Sequence, residues 1–282
     1  MAFIQALTRG AAATGAALLM FAHLDPAVSQ QQLTTEIDKT ALRVCADPAA
    51  MPNSNDKGEG FENKIAELIA ADLGVHVQYE WFPQATGFVR NTLRAGKCDV
   101  IIGYPQGNDE VQTTNPYYKS AWALVTKQGS PLAGVKNFRD PALKDKKIGI
   151  QVGAPPGNSM ALNGLMGHAR PYSLMEDRRY GSAPEKMIAD LKSGEIDAAV
   201  LWGPVASYYA KKEDAAVSVT PLVAENQGPR LTFYITMGVR ARDQEWKRKL
   251  NGLLAKHQDE INKILLSYGI PILDEQDQPI TQ

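Results

Sequence analysis

The stretch GAPPGNS at 153–159 follows the apolar run KKIGIQV and opens on a glycine. A strand, a glycine turn and a helix start point backbone N–H groups outward, which suits an anion. Pro155 and Pro156 stand inside that turn with no N–H to offer, so the cradle is spoiled by its own sequence. NSNDKGE at 53–59 has the outline of a calcium loop, with Asn53 and Asn55 at alternate positions and Gly58 sixth. Its fifth and twelfth positions are Lys57 and Lys64, where oxygen ligands are needed, so it reads as a turn and no metal is expected. His23, His76, His168 and His257 share no metal-binding spacing, and the chain has no GxSxG elbow, phosphate-binding P-loop or paired-cysteine motif. GEG at 58–60 lacks the third glycine and the leading strand of a dinucleotide fingerprint. The sequence therefore predicts neither catalysis nor a cofactor. What remains is aromatic: Tyr104, Tyr117, Tyr118, Trp122 and Trp202 fall at strand ends or crossing segments, where open α/β sheets hold their ligands.

Two near-copies of one pattern build the frame for those residues. LRAGKCDVII at 93–102 and LKSGEIDAAV at 191–200 each give Leu, a basic residue, a small residue, Gly, a charge, an apolar residue, Asp and an apolar run. Each reads as a helix end, a left-handed glycine and a strand covered on both faces. Upstream of each copy stands another strand, LRVCA at 42–46 and KIGIQV at 147–152. Phe61, Ile65, Leu68, Ile69 and Leu73 fall at helical spacing between Gly60 and Gly74. Met187, Ile188 and Leu191 do the same between Pro184 and Gly194. Strands alternating with helices predict an α/β fold, here two similar lobes with open sheets. NPYYKSAWALVTKQGSP and RLTFYITMGVR read as strands that cross between the lobes, followed by amphipathic helices from Gln244 to Tyr268. The expected division is 30–121 with 238–282 for the first lobe and 128–231 for the second. The hinge crossings are 122–127 and 232–237, and the ligand groove lies between the lobes.

Thirty Lys and Arg against thirty-one Asp and Glu, with 44% hydrophobic residues, describe a soluble globular chain without a nucleic-acid surface. Arg9, the stretch AAATGAALLMFA and the small residues Ala27 and Ser29 describe a secretory signal peptide over 1–29. That stretch is too short to span a bilayer, which needs roughly twenty apolar residues. The mature chain is expected to start at Gln30 in the periplasm, without a lipid anchor. Cys45 and Cys98 would meet an oxidising compartment. If their strands start in step, Cys98 lies opposite Leu42, roughly 10 Å from Cys45 and beyond the ~7 Å reach of a bridge. A local shift would close that gap, so a disulfide and two buried thiols both stand open.

LRVCADPAAMPNSNDKGEGFENKIAELIAADLG, LRAGKCDVIIG, NPYYKSAWALV and SGEIDAAVLWGPVASYYAKK resemble the periplasmic solute-binding proteins of ABC importers, type II, in the amino-acid-receptor branch. GEGFENKIAELIA, WFPQATGFVRNTLRAGKCDVIIGYPQ and ILLSYGIPIL are similar to the methanol-dehydrogenase-associated members, the MxaJ/XoxJ type. The resemblance implies a two-lobed fold with a two-strand hinge. Amino-acid receptors hold a zwitterion with an arginine, backbone donors, an acid and aromatic rings. Here the turn that carries the arginine reads YPQGNDEVQTTN, with Tyr104 before it and Asp109 and Glu110 within it. Trp202 stands where the acid falls, Ala50 and Asn53 replace the early aromatic pair, and Pro155 and Pro156 occupy the donor turn. A zwitterion left without partners would cost several kcal/mol per charge, so the groove is not expected to bind an ordinary amino acid.

The resemblance then implies a non-catalytic partner of a periplasmic pyrroloquinoline-quinone methanol dehydrogenase, with its cytochrome as a further candidate contact. Its role would be assembly, maturation or activation, and the free protein is expected to be a monomer. One rival is an importer receptor for an apolar or cofactor-like small molecule. A lyase on the same fold would need paired acid and base groups, which the sequence does not supply.

Overall fold

A computed structural model describes residues 37–173 and 181–280. The expected signal peptide and the start at Gln30 lie outside these residues. Strand β1 (Ala41–Ala46) leads into a small hairpin, β2 (Ala49–Ala50) and β3 (Ser54–Asn55), and then helix α1 (Phe61–Leu73). The helix starts where Asn63 Oδ1 accepts the Gly60 N–H at 3.0 Å, buries Phe61, Ile65 and Ile69, and ends on left-handed Gly74. Next come β4 (His76–Trp81), α2 (Phe88–Asn91), β5 (Val100–Pro105), β6 (Gln112–Thr113) and the long β7 (Tyr118–Lys127). The second half holds β8 (Ile148–Gln151), α3 (Pro156–Leu162), β9 (Ala169–Tyr172), α4 (Ala183–Ser193), β10 (Ala198–Trp202), α5 (Gly203–Lys212) and β11 (Val217–Pro221). The chain returns through β12 (Thr232–Val239), α6 (Gln244–Lys256) and α7 (Gln258–Ser267), then a short hairpin of β13 (Ile272–Leu273) and β14 (Pro279–Ile280).

The main sheet runs β4-β1-β5-β12-β7-β10-β8-β9. Its two ends are parallel trios, β4-β1-β5 and β10-β8-β9, joined through the antiparallel pair β12–β7. Both copies of the sequence repeat become the strand next to this pair: β5 lies on β12 and β10 on β7. Even the repeated aspartates match, since Asp99 N–H donates to Arg43 O and Asp197 N–H to Lys147 O, each at 2.8 Å. β7 changes partner partway, pairing with β12 through Ala121 and with β10 from Trp122 onward. Apolar side chains cover both faces of each trio. Phe61, Ile65 and Leu250 belong to one side of the first, and Cys45, Leu93 and Tyr104 to the other. Phe138 and Met160 lie on one side of the second, Met187 and Leu191 on the other.

One expectation needs correction, and one open alternative closes. The first repeat copy does not end a regular helix, because α2 stops at Asn91. The Thr92 hydroxyl donates to the Phe88 carbonyl at 2.7 Å, and the chain continues through turns that bury Leu93. The distance argument against a bridge also fails, since Cys45 and Cys98 form a disulfide with Cα atoms 5.5 Å apart. The register itself is as expected, with Val44 opposite Val100. But β5 begins only at Val100, so Cys98 lies in the preceding turn and is not held to strand spacing.

Residues 271–277 clasp the crossing strands. Lys119 on β7, 3% exposed, donates through Nζ to Asp274 O at 3.1 Å and Glu275 O at 3.4 Å, and pairs with Asp277 at 2.7 Å. Beside it the Ser120 hydroxyl donates to Pro271 O at 2.7 Å, and Tyr234 OH on β12 donates to Glu275 Oε2 at 2.5 Å. The Lys119 ammonium also sits 5.2 Å over the Tyr234 ring.

Candidate functional site

A cavity of about 160 Å³ opens where the two trios face each other. One wall is the loop after β1 with Ala49, Ala50, Met51 and Asn53, together with Gln84. Asp47 holds this wall in shape: its carboxylate accepts the N–H of Ala49 at 2.8 Å and of Gln84 at 2.7 Å. The other wall combines Gln151 and Ser173 with the start of α4 (Ser182, Ala183, Pro184) and with Val205 and Tyr209 of α5. There Ser182 caps α4 by accepting the Glu185 N–H at 3.3 Å, while its hydroxyl donates to Tyr209 OH at 2.8 Å.

Trp202 joins the walls. It is the last residue of β10 and the N-cap of α5, placed opposite Trp122 of β7. Its ring packs edge-on between Trp122, at 6.2 Å and 64°, and Phe233 of β12, at 5.9 Å and 75°. Gly203 follows because a β-carbon there would lie 2.6 Å from Ala121 O and 2.8 Å from Pro271 Cγ. Only a bare backbone lets α5 start so close to β7.

Behind Asn53 lies a group that sequence reasoning missed. Glu62 is 6% exposed and accepts from Asn53 Nδ2 at 2.6 Å. Burial pushes its pKa up to about 7, and the nearby Asp47 adds to the rise, while bonds from Asn53 and the Gly103 backbone oppose it. Gly103 has no side chain because a β-carbon would fall 2.0 Å from Glu62 Oε1. The sequence signal for this group was the acidic residue at the start of α1, where it reads as an ordinary first-turn helix charge.

Of the residues singled out from the sequence, Ala50, Asn53 and Trp202 line this cavity. Tyr104, Asp109 and Glu110 gather elsewhere. Tyr104 packs in the cluster around the disulfide, and its hydroxyl donates to Glu110 Oε2 at 3.3 Å. Burial, then Glu110, pushes the Tyr104 pKa up to about 12. Asp109 is exposed in the turn that follows, and the Glu110 carbonyl accepts from Arg94 at 2.7 Å. Pro155 and Pro156 begin α3 and are not among the lining residues. Their turn uses its N–H groups internally: Ala154 donates to Gln151 O, Gly157 to Ala154 O and Asn158 to Pro155 O. Gln84, Gln151 and the α4–α5 residues were not anticipated, since they come from segments far apart in the chain.

Among the described residues the lining has amides, hydroxyls, aliphatic groups and one indole, and no Asp, Glu, Lys or Arg. These residues can hydrogen-bond and stack, but among them none can neutralise a carboxylate or an ammonium. Among the described residues no cluster of three His, Cys, Asp or Glu could hold a metal ion, and no helix is long and apolar enough to cross a membrane.

Comparison with known proteins agrees with this geometry. Residues 41–269 match the bacterial extracellular solute-binding proteins, family 3. The crystal structure of periplasmic binding protein XoxJ from Methylobacterium extorquens AM1 is 42% identical, with a TM-score of 0.71, over 83% of this chain and 100% of that one. MxaJ from Methlophaga aminisulfidivorans MPT is 29% identical, with a TM-score of 0.70, over 82% of this chain and 100% of that one. Protein MoxJ of Methylorubrum extorquens is 30% identical over 263 residues, 88% of this chain and 86% of its own length.

Proposed function

The chain belongs to family 3 of the bacterial extracellular solute-binding proteins, and from that premise we propose that it is a non-catalytic periplasmic protein of methanol oxidation. It serves a pyrroloquinoline-quinone methanol dehydrogenase by protein contact, aiding the enzyme's assembly, maturation or activation. Similarity to XoxJ over that protein's whole length carries this reading. The lining supports it, because a receptor for amino acids needs ionic partners and the described lining residues include no Asp, Glu, Lys or Arg. On this reading the lobes divide as the sequence suggests, with 122–127 and 232–237 as crossings. The groove beside Ala50, Asn53 and Trp202 receives a segment of the dehydrogenase, and Trp202 anchors it, as buried indoles do at binding hot spots.

The test is capture of the purified dehydrogenase by the mature protein, with Trp202→Ala alongside. The half-buried ring touches two others, so the substitution should cost roughly 2 kcal/mol of stability. Capture should weaken by about 2 kcal/mol or more, close to thirtyfold in Kd. A wild-type protein that captures no dehydrogenase would overturn the partner. Undiminished capture by a folded Trp202→Ala protein would overturn the groove as its site.

A further inference from the structure

A second hollow, of about 620 Å³, shares no lining residue with the aromatic cavity. It lies between the segment 138–146 and the stretch 163–168. Arg139, Lys144, Lys146 and His168 line it, with Asp140 and Asp145 as its acids. Both acids are engaged: Asp140 accepts the Ala142 N–H at 2.9 Å, and Asp145 lies 3.6 Å from His168. The side chains of Arg139, Lys144 and Lys146 have no ion pair or hydrogen bond among the described residues. Lys136 and Lys147, which flank this segment, are exposed and equally unpaired. Segment 136–147 thus holds five cations against two acids in a chain whose net charge is −1. Some lysines on other faces are paired, Lys64 with Glu67, Lys97 with Glu80 and Lys212 with Glu185. Others, such as Lys57 and Lys263, are not paired among the described residues, so what sets this segment apart is five cations within twelve residues.

The rim of the hollow adds a second chemistry. Leu162 is 65% exposed and Met166 47% exposed; they do not line the hollow but are chain neighbours of its lining residues Asn163, Leu165 and Gly167. Exposed apolar side chains beside unpaired cations mark a contact surface. We propose that this hollow docks an acidic segment of a protein partner, its carboxylates on Arg139, Lys144 and Lys146 and its apolar residues on Leu162 and Met166. A protein segment suits a concave site, whereas an anionic bilayer is met best by a flat or convex face. The proposal concerns a different surface from the aromatic groove and stands whatever the partner of that groove is.

The probe is a fluorescein-labelled peptide of sequence EELEELEELEEL, titrated by anisotropy against the full mature protein. KKLKKLKKLKKL serves as the charge control, and vesicles of equal phosphatidylglycerol and phosphatidylcholine as the membrane control. The acidic peptide should bind and lose severalfold in affinity between 50 and 200 mM salt, as unburied ion pairs are screened. Lys144→Glu with Lys146→Glu should lower affinity at least tenfold, and Lys144→Gln with Lys146→Gln less. Leu162→Ser with Met166→Ser should lower it severalfold, while Lys64→Glu leaves it unchanged. All these side chains are exposed or half-exposed, and melts verify that each variant folds. No binding of the acidic peptide, equal binding of the basic one, or indifference to the charge reversal would overturn the proposal. Vesicle binding that depends on the same lysines and exceeds peptide binding would overturn it in favour of a membrane surface.

Discussion

The Glu62 carboxyl is held between the Asn53 amide and the Gly103 backbone, with Asp47, Tyr79, Tyr117 and Tyr118 in its field. Burial raises its pKa from 4.5 to about 7, so between those values the folded protein keeps a proton that the unfolded chain has lost. The contribution to stability is present below the unfolded pKa and declines as pH rises through about 7, by roughly 3 kcal/mol across the window. Glu62→Gln keeps the neutral shape and removes the titration. Urea unfolding of both proteins at pH 5 and pH 8 should show the variant gaining on the wild type at the higher pH; parallel profiles would place the carboxyl in water. This residue also marks a limit of sequence reading. Trp202 and Asn53 were singled out by a family pattern and both line the cavity, but Glu62 looks like any acid in a first helical turn until Gly103 is seen against it.

At the scale of elements, α1 was legible to the residue and α4 to within one, because each has an apolar face, a start signal and a closing glycine. The paired strands β5 and β10 were legible because the chain writes them twice. α2 was not, since a single threonine hydroxyl bonding back to Phe88 outweighs the periodicity around it. The disulfide shows the same gap between register and local path. It ties β1 to the turn before β5 across 53 residues of sequence, and closing a loop of that size stabilises by about 4 kcal/mol. Cys45→Ser with Cys98→Ser should therefore lower unfolding free energy by about that amount. Alkylation of the denatured but unreduced wild type, followed by intact mass, should add no label, and reduction first should add one to each cysteine. Labelling without reduction would show the thiols free.

The described residues form two parallel trios on one pair of crossing strands, with the aromatic cavity where they face each other and no charge among its described lining residues. Titration calorimetry against the twenty amino acids should find none bound tighter than about millimolar, equivalent to roughly 4 kcal/mol; a micromolar constant for any would mean that ionic anchors exist. The clasp at 271–277 adds a matter of timing. A chain is made from its first residue, so Lys119 arrives long before Asp274 and Glu275, which stand 155 and 156 positions later. Until they follow, the crossing strand carries an ammonium group that its own neighbourhood cannot settle, and the sheet is a draft awaiting its last line. Deleting 271–282 should cost about 3–5 kcal/mol, the scale for stranding a buried charge. Lys119→Met should restore part of the loss in the shortened chain while destabilising the full one. If the same substitution shifts both melts equally, the ammonium is not what waits. The order in which the residues appear is thus part of how this strand crossing is built: the segment that closes over it comes late.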